Sequence, residues 1–137
     1  MSYRVARIMA VCLVATVSGC CAYHQESVDN LKTIKGQIPA LYSGFTSAPA
    51  AGEQTQADQI KTLFSKTVDQ EKSIWFWCRQ TSDAVTQAEQ TFESQVGDRQ
   101  KKLPKPLPQP LVDAYKNQID TQLNDAILAI QARKTGS

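Results

Sequence analysis

Apolar residues recur at three- and four-residue steps along most of this chain, and glycine or proline stands where the rhythm stops. Over 26–43 the stripe runs Val28, Leu31, Ile34, Ile38, then Leu41 or Tyr42, and continues to Phe45. That spacing predicts an amphipathic helix. Pro39 falls inside it, and an interior proline costs a helix about 3 kcal/mol, so a kink or break is expected near Gln37 and Ile38. The stretch 44–52, Gly-Phe-Thr-Ser-Ala-Pro-Ala-Ala-Gly, is a turn by composition.

Residues 54–97 form the longest periodic segment, free of proline and of glycine until Gly97. One register fits throughout: Ala57, Ile60, Phe64, Thr67, Glu71, Ile74, Cys78, Thr81, Val85, Ala88, Phe92. A 3-4 alternation sustained this far predicts a bundle or coiled-coil helix, about 66 Å long if continuous. Across 98–110, Pro104, Pro106, Pro108 and Pro110 alternate with other residues. Each proline pins its own backbone and pushes its predecessor to an extended shape, which predicts a stiff connector. Pro110 suits the first turn of a last helix over 111–133. Its stripe is Leu111, Tyr115, Ile119, Leu123, Ile127 and Ile130. Asp113 near its start, with Arg133 and Lys134 at its end, complements the helix dipole.

The expected fold class is therefore all-α: a three-helix bundle, coiled-coil-like, with a long central helix covered by two shorter ones. The helical domain spans 26–134, after a linker over 20–25. Folding back near Pro49 brings Cys20 and Cys21 level with Trp77 and Cys78. Folding back near Leu103 sets Tyr115 level with Thr91, and the Ile127 and Ile130 turn level with 74–79.

The first twenty residues follow a different pattern. Arg4 and Arg7 form a basic head, and 8–17 is an apolar run broken by Thr16. The run is too short for a permanent span, which needs about 20 residues. It suits a signal peptide. Its end, Val17-Ser18-Gly19-Cys20, resembles the lipobox of bacterial lipoproteins. That resemblance implies removal of 1–19, diacylglycerol on the Cys20 thiol, and a palmitate-like acyl chain on its new amine. Two or three chains hold a protein firmly at a membrane where one does not. The residue after Cys20 is Cys21 and not aspartate. In a Gram-negative organism the resemblance then implies the periplasmic face of the outer membrane.

Charge narrows the partners. The chain carries 15 basic and 13 acidic residues. Loss of Arg4 and Arg7 with the signal leaves a formally neutral protein, which argues against nucleic acid, since phosphate binding needs a basic surplus. The cysteines add a second point. With Cys12 removed and Cys20 acylated, Cys21 and Cys78 remain, and an oxidising exterior allows them to pair. The alternative is a free linker thiol and a buried one. No CxxC or HxxxH spacing supports a metal, and no cofactor is expected.

Ile74-Trp75-Phe76-Trp77-Cys78 is the densest aromatic cluster. Five consecutive apolar residues face nearly every side of a helix. They are covered by neighbouring helices or a second copy, or they form an exposed patch for a protein or the membrane interface, where tryptophan is favoured. The proline connector, with Arg99, Lys101, Lys102 and Lys105 around it, reads as a rigid spacer or as a polyproline or basic contact. Glu71 on the seam is a buried acid or one that snorkels out. His24, the only histidine, has no evident acid or nucleophile arranged around it and reads as solvated. No nucleophile elbow, zinc-protease motif or phosphate loop occurs, and no catalytic residue is assigned.

The expected role is a non-catalytic, lipid-anchored accessory, scaffold or interaction subunit in the cell envelope, with an envelope protein partner or self-association. One alternative is a binding module for an apolar ligand, or an inhibitor of an envelope enzyme, using Trp75 and Trp77. Another is a self-assembling spacer.

Overall fold

A computed structural model describes residues 22–72 and 79–135. The described chain folds as four α-helices: α1 (Gln25–Gly44), α2 (Glu53–Glu71), α3 (Arg79–Lys102) and α4 (Gln109–Ala132), closed by a 3-10 turn over Arg133–Thr135. Each helix packs on its neighbours in sequence, and α4 returns to pack on α1. Pairs such as Ser27 with Gln70, Ser65 with Glu89 and Tyr115 with Asp98 run in opposite senses along their helices. The arrangement is an up-down-up-down bundle.

The all-α expectation holds, and the long central helix is corrected. The four helices have 20, 19, 24 and 24 residues, with none dominant. The segment read as one helix over 54–97 is two antiparallel helices, and Lys72, in extended backbone, ends the first. The register nevertheless fits both halves. Ala57, Ile60, Phe64, Thr67 and Glu71 are buried on α2, and Thr81, Val85, Ala88 and Phe92 on α3. A periodic stripe records which face is buried but not the direction in which the helix runs.

Three boundaries also move. Helix α1 passes through Pro39 without the expected break. Pro39 lies on the exposed face, where the ring and the missing N–H disturb no core contact. Helix α3 runs through Gly97 to Lys102, so the connector shrinks to 103–108. One interior glycine costs a helix only about 1 kcal/mol, and Arg99, two residues on, is held by the contacts of that end. Helix α4 begins at Gln109, with Pro110 in its first turn as expected. Its first core residue is Val112, and Leu111 is exposed. With these ends, Tyr115 meets Asp98 and not Thr91.

The turn over 45–52 is as its composition predicts. Gly52 adopts φ 90 at the start of α2, a left-handed conformation that glycine takes without steric cost. The core is aliphatic except near one end, where Tyr42 stacks on Phe45 and on Phe92, and Phe92 meets Phe64.

Candidate functional site

Polar groups are buried at three levels of this bundle, and each has a different job. At the first end, the start of α1 meets the end of α2, the start of α3 and the end of α4. Glu71, 2% exposed, is the hub. Its Oε2 accepts from Arg133 Nη1 at 2.8 Å and from Thr81 Oγ1 at 3.3 Å, and His24 Nδ1 lies 3.0 Å from Oε1. Arg133 Nη1 also donates to the Ala22 carbonyl, and Lys134 lies over the Tyr23 ring. The seam position of Glu71 thus buries it, and partners from the other three helix ends surround it. His24 is corrected. It is part-buried and paired with Glu71, an acid 47 residues away that no local pattern reveals. Both Glu71 oxygens are engaged, so the cluster acts as a ligature between helix ends.

At the opposite end Arg99 is 1% exposed, although the sequence places it in a basic surface cluster. Its fork meets both Glu53 oxygens, at 2.9 and 3.2 Å. Its remaining N–H groups reach the carbonyls of Gly44, Phe45, Ser47 and Lys105. One side chain therefore ties the α1–α2 turn to the α3–α4 connector. The connector is further held by the Leu107 N–H, which donates to the Phe45 carbonyl at 2.8 Å. Leu107 is buried, which favours the rigid-spacer reading.

One layer inside the Arg99 end, the Tyr42 hydroxyl donates to Gln95 Oε1, and Tyr115 donates to Asp98 Oδ2 at 2.7 Å. Burial pushes the Tyr42 phenol far above the ordinary tyrosine range, with Tyr115 adding to the effect. Tyr115 is pushed up to about 12, chiefly by burial and then by the hydrogen bond and charge of Asp98. A phenol that stays protonated only in the folded state stabilises the fold fully below its unfolded pKa of about 10. Above that pH the unfolded chain releases the proton and the native one does not. Stability therefore falls as pH rises, at about 1.4 kcal/mol per pH unit for a fully protonated Tyr42. Tyr42→Phe is expected to flatten this slope, with Tyr115 sustaining part of it. Denaturant melts on either side of about pH 10 read the slope; an unchanged slope in the variant would show that Tyr42 does not titrate this way.

The residues singled out for anchoring and contact, Cys20, Cys21, Ile74, Trp75, Phe76, Trp77 and Cys78, lie outside the described residues. Their neighbours are informative. Ala22, Glu71 and Thr81 share the Glu71 end, so the chain leaving Cys21 and the ends flanking 73–78 converge there. Among the described residues, no group of three or more His, Cys, Asp or Glu side chains is disposed to hold a metal, and no helix is long and apolar enough to cross a membrane. No family model matches this chain, and neither the curated proteins nor the solved structures contain a significant match to it.

Proposed function

We propose that this chain is a lipid-anchored lipoprotein of the cell envelope, acting as a non-catalytic accessory, scaffold or interaction subunit at the membrane surface. The lipobox-like Val17-Ser18-Gly19-Cys20 supports the anchor. The observation that carries the reading is the Arg133 contact to the Ala22 carbonyl. Cys20 precedes Ala22 by two residues, and extended chain spans at most about 7 Å over that interval. A lipid on Cys20 therefore has almost no linker, and the bundle stands with its Glu71 end at the bilayer surface.

The same orientation gives the aromatic run a role. Residues 73–78 join α2 to α3, and both helix ends contribute to the Glu71 cluster. Ile74, Trp75, Phe76 and Trp77 are of the types favoured at a membrane interface or in a protein contact beside it. In the chain Cys21 precedes Ala22 and Cys78 precedes Arg79, and that adjacency supports a disulfide between them.

The test is the intact mass of protein extracted from membranes. We expect loss of 1–19, added acyl mass, and a further loss of two hydrogens where Cys21 and Cys78 are paired. Cys20→Ser should yield an unacylated product. A full-length, unacylated wild-type protein would overturn the proposal.

A further inference from the structure

We propose that the polar groove between α3 and α4 is a binding site for a neutral carbohydrate. The groove has a volume of about 270 Å³. Gln87, Gln90 and Ser94 form one wall, on α3, and Gln118 stands on the α4 side. Thr91, Gln95, Asp98 and Tyr115 complete its lining, which contains no aliphatic residue, no lysine and no arginine. Amides and hydroxyls offer paired donors and acceptors without net charge, the chemistry that matches a sugar's hydroxyls. An extended peptide would want apolar recesses for its side chains, and an anion would want a cation; this lining has neither.

A solvated helix face has the same composition but does not need a built floor. Here the floor is built. Gln95 is 3% exposed, yet it lines the groove. Its Oε1 accepts from the buried Tyr42 hydroxyl. Its Nε2 donates to Gln118 Oε1 at 3.2 Å and to the Tyr115 carbonyl at 3.5 Å. That network fixes the orientation of both amides. With its oxygen taken by Gln95, the Gln118 amide has its N–H pair to offer a ligand. Tyr115 occupies one Asp98 oxygen and the exposed Lys101 ammonium lies 3.8 Å from the other, and the carboxylate keeps lone pairs to accept from a sugar hydroxyl. Donors and an acceptor held in fixed positions bind with less ordering cost than free surface side chains. The groove is shallow, so the affinity expected is that of a single sugar unit, near about 1 mM.

The test uses the full chain, isotopically labelled and held in a detergent that carries no sugar. Maltotriose, cellotriose and chitotriose are titrated separately, and the side-chain amide signals of Gln95 and Gln118 are followed. We expect saturable shifts with at least one trisaccharide. Gln118→Glu keeps the oxygen that Gln95 donates to and removes the N–H donors, and Asp98→Asn keeps an acceptor for Tyr115; each should weaken binding about tenfold or more. Trialanine is the control for peptide binding. The proposal fails if no trisaccharide shifts these amides at about 10 mM, if trialanine alone does so, or if the variants bind as the wild type does.

Discussion

Replacing Arg99 with leucine is expected to cost the fold roughly 3–5 kcal/mol, the range for removing one partner of a buried ion pair. Domains of this size have only about 5–15 kcal/mol in total. The change strands one charge and four carbonyls. Glu53 loses both of its hydrogen bonds to the guanidinium, and the carbonyls of Gly44, Phe45, Ser47 and Lys105 lose a donor. Leucine fills part of the space but satisfies none of these acceptors, and each one left dry adds a desolvation cost. Lysine keeps the charge but lacks the planar fork, so Arg99→Lys should recover only part of the loss. A second substitution, Glu53→Leu with Arg99→Leu, removes the orphaned carboxylate. It should restore some stability, but not all, because the four carbonyls remain. Equilibrium guanidinium melts give the answer through the midpoint at constant slope. A loss under about 1 kcal/mol would mean that water replaces the guanidinium at that end.

How much of this was legible in sequence depended on whether the determining contact is local. The buried faces were: every described residue of the 57–92 register is buried. The 45–52 turn and the proline at the start of α4 were equally plain, because Gly52 and Pro110 constrain their own backbone. The reversal between α2 and α3 was missed because no glycine or proline marks it, and because the stripe keeps its spacing from Glu71 through Cys78 to Thr81. One signal was present. Ile74 through Cys78 are all apolar, and no amphipathic helix holds five such residues on one face. A helix of the implied length would also be about three times the average of about 10–14 residues.

The polar clusters were illegible for another reason. Arg99 looks like a surface cation beside Lys101 and Lys102, and only the approach of the 45–52 turn supplies its acceptors. His24 and Glu71, or Tyr42 and Gln95, are brought together by tertiary packing alone. The Gln95 position was the nearest to readable, since it continues the α3 stripe one step beyond Phe92. A polar residue at a seam position asks for a partner, though sequence does not say which.

Glu71→Leu is expected to lower stability by roughly 2–3 kcal/mol, less than the loss at Arg99. The difference lies in what is left behind. Arg133 stands at the end of α4 with 12% of its side chain exposed and also donates to the Ala22 carbonyl, so without Glu71 it keeps a partner and can turn toward water. The reverse change, Arg133→Leu, leaves the Glu71 carboxylate fully enclosed, with His24 and Thr81 as its remaining partners. That variant should be the less stable of the two. Glu71→Gln keeps the shape and one acceptor and should fall between Glu71→Leu and the wild type. The damage should also be local. Hydrogen exchange should quicken where α1 begins, at amides such as Val28, whose N–H bonds to the His24 carbonyl. Amides near Tyr42 and Leu107, at the Arg99 end, should keep their protection. If Cys20 carries the lipid, none of these variants should leave the membrane fraction, because attachment is covalent and the cluster only orients the bundle upon it. Uniformly faster exchange along all four helices would mean that Glu71 supports the whole core, and the assignment of this cluster to one end of the molecule would then be wrong.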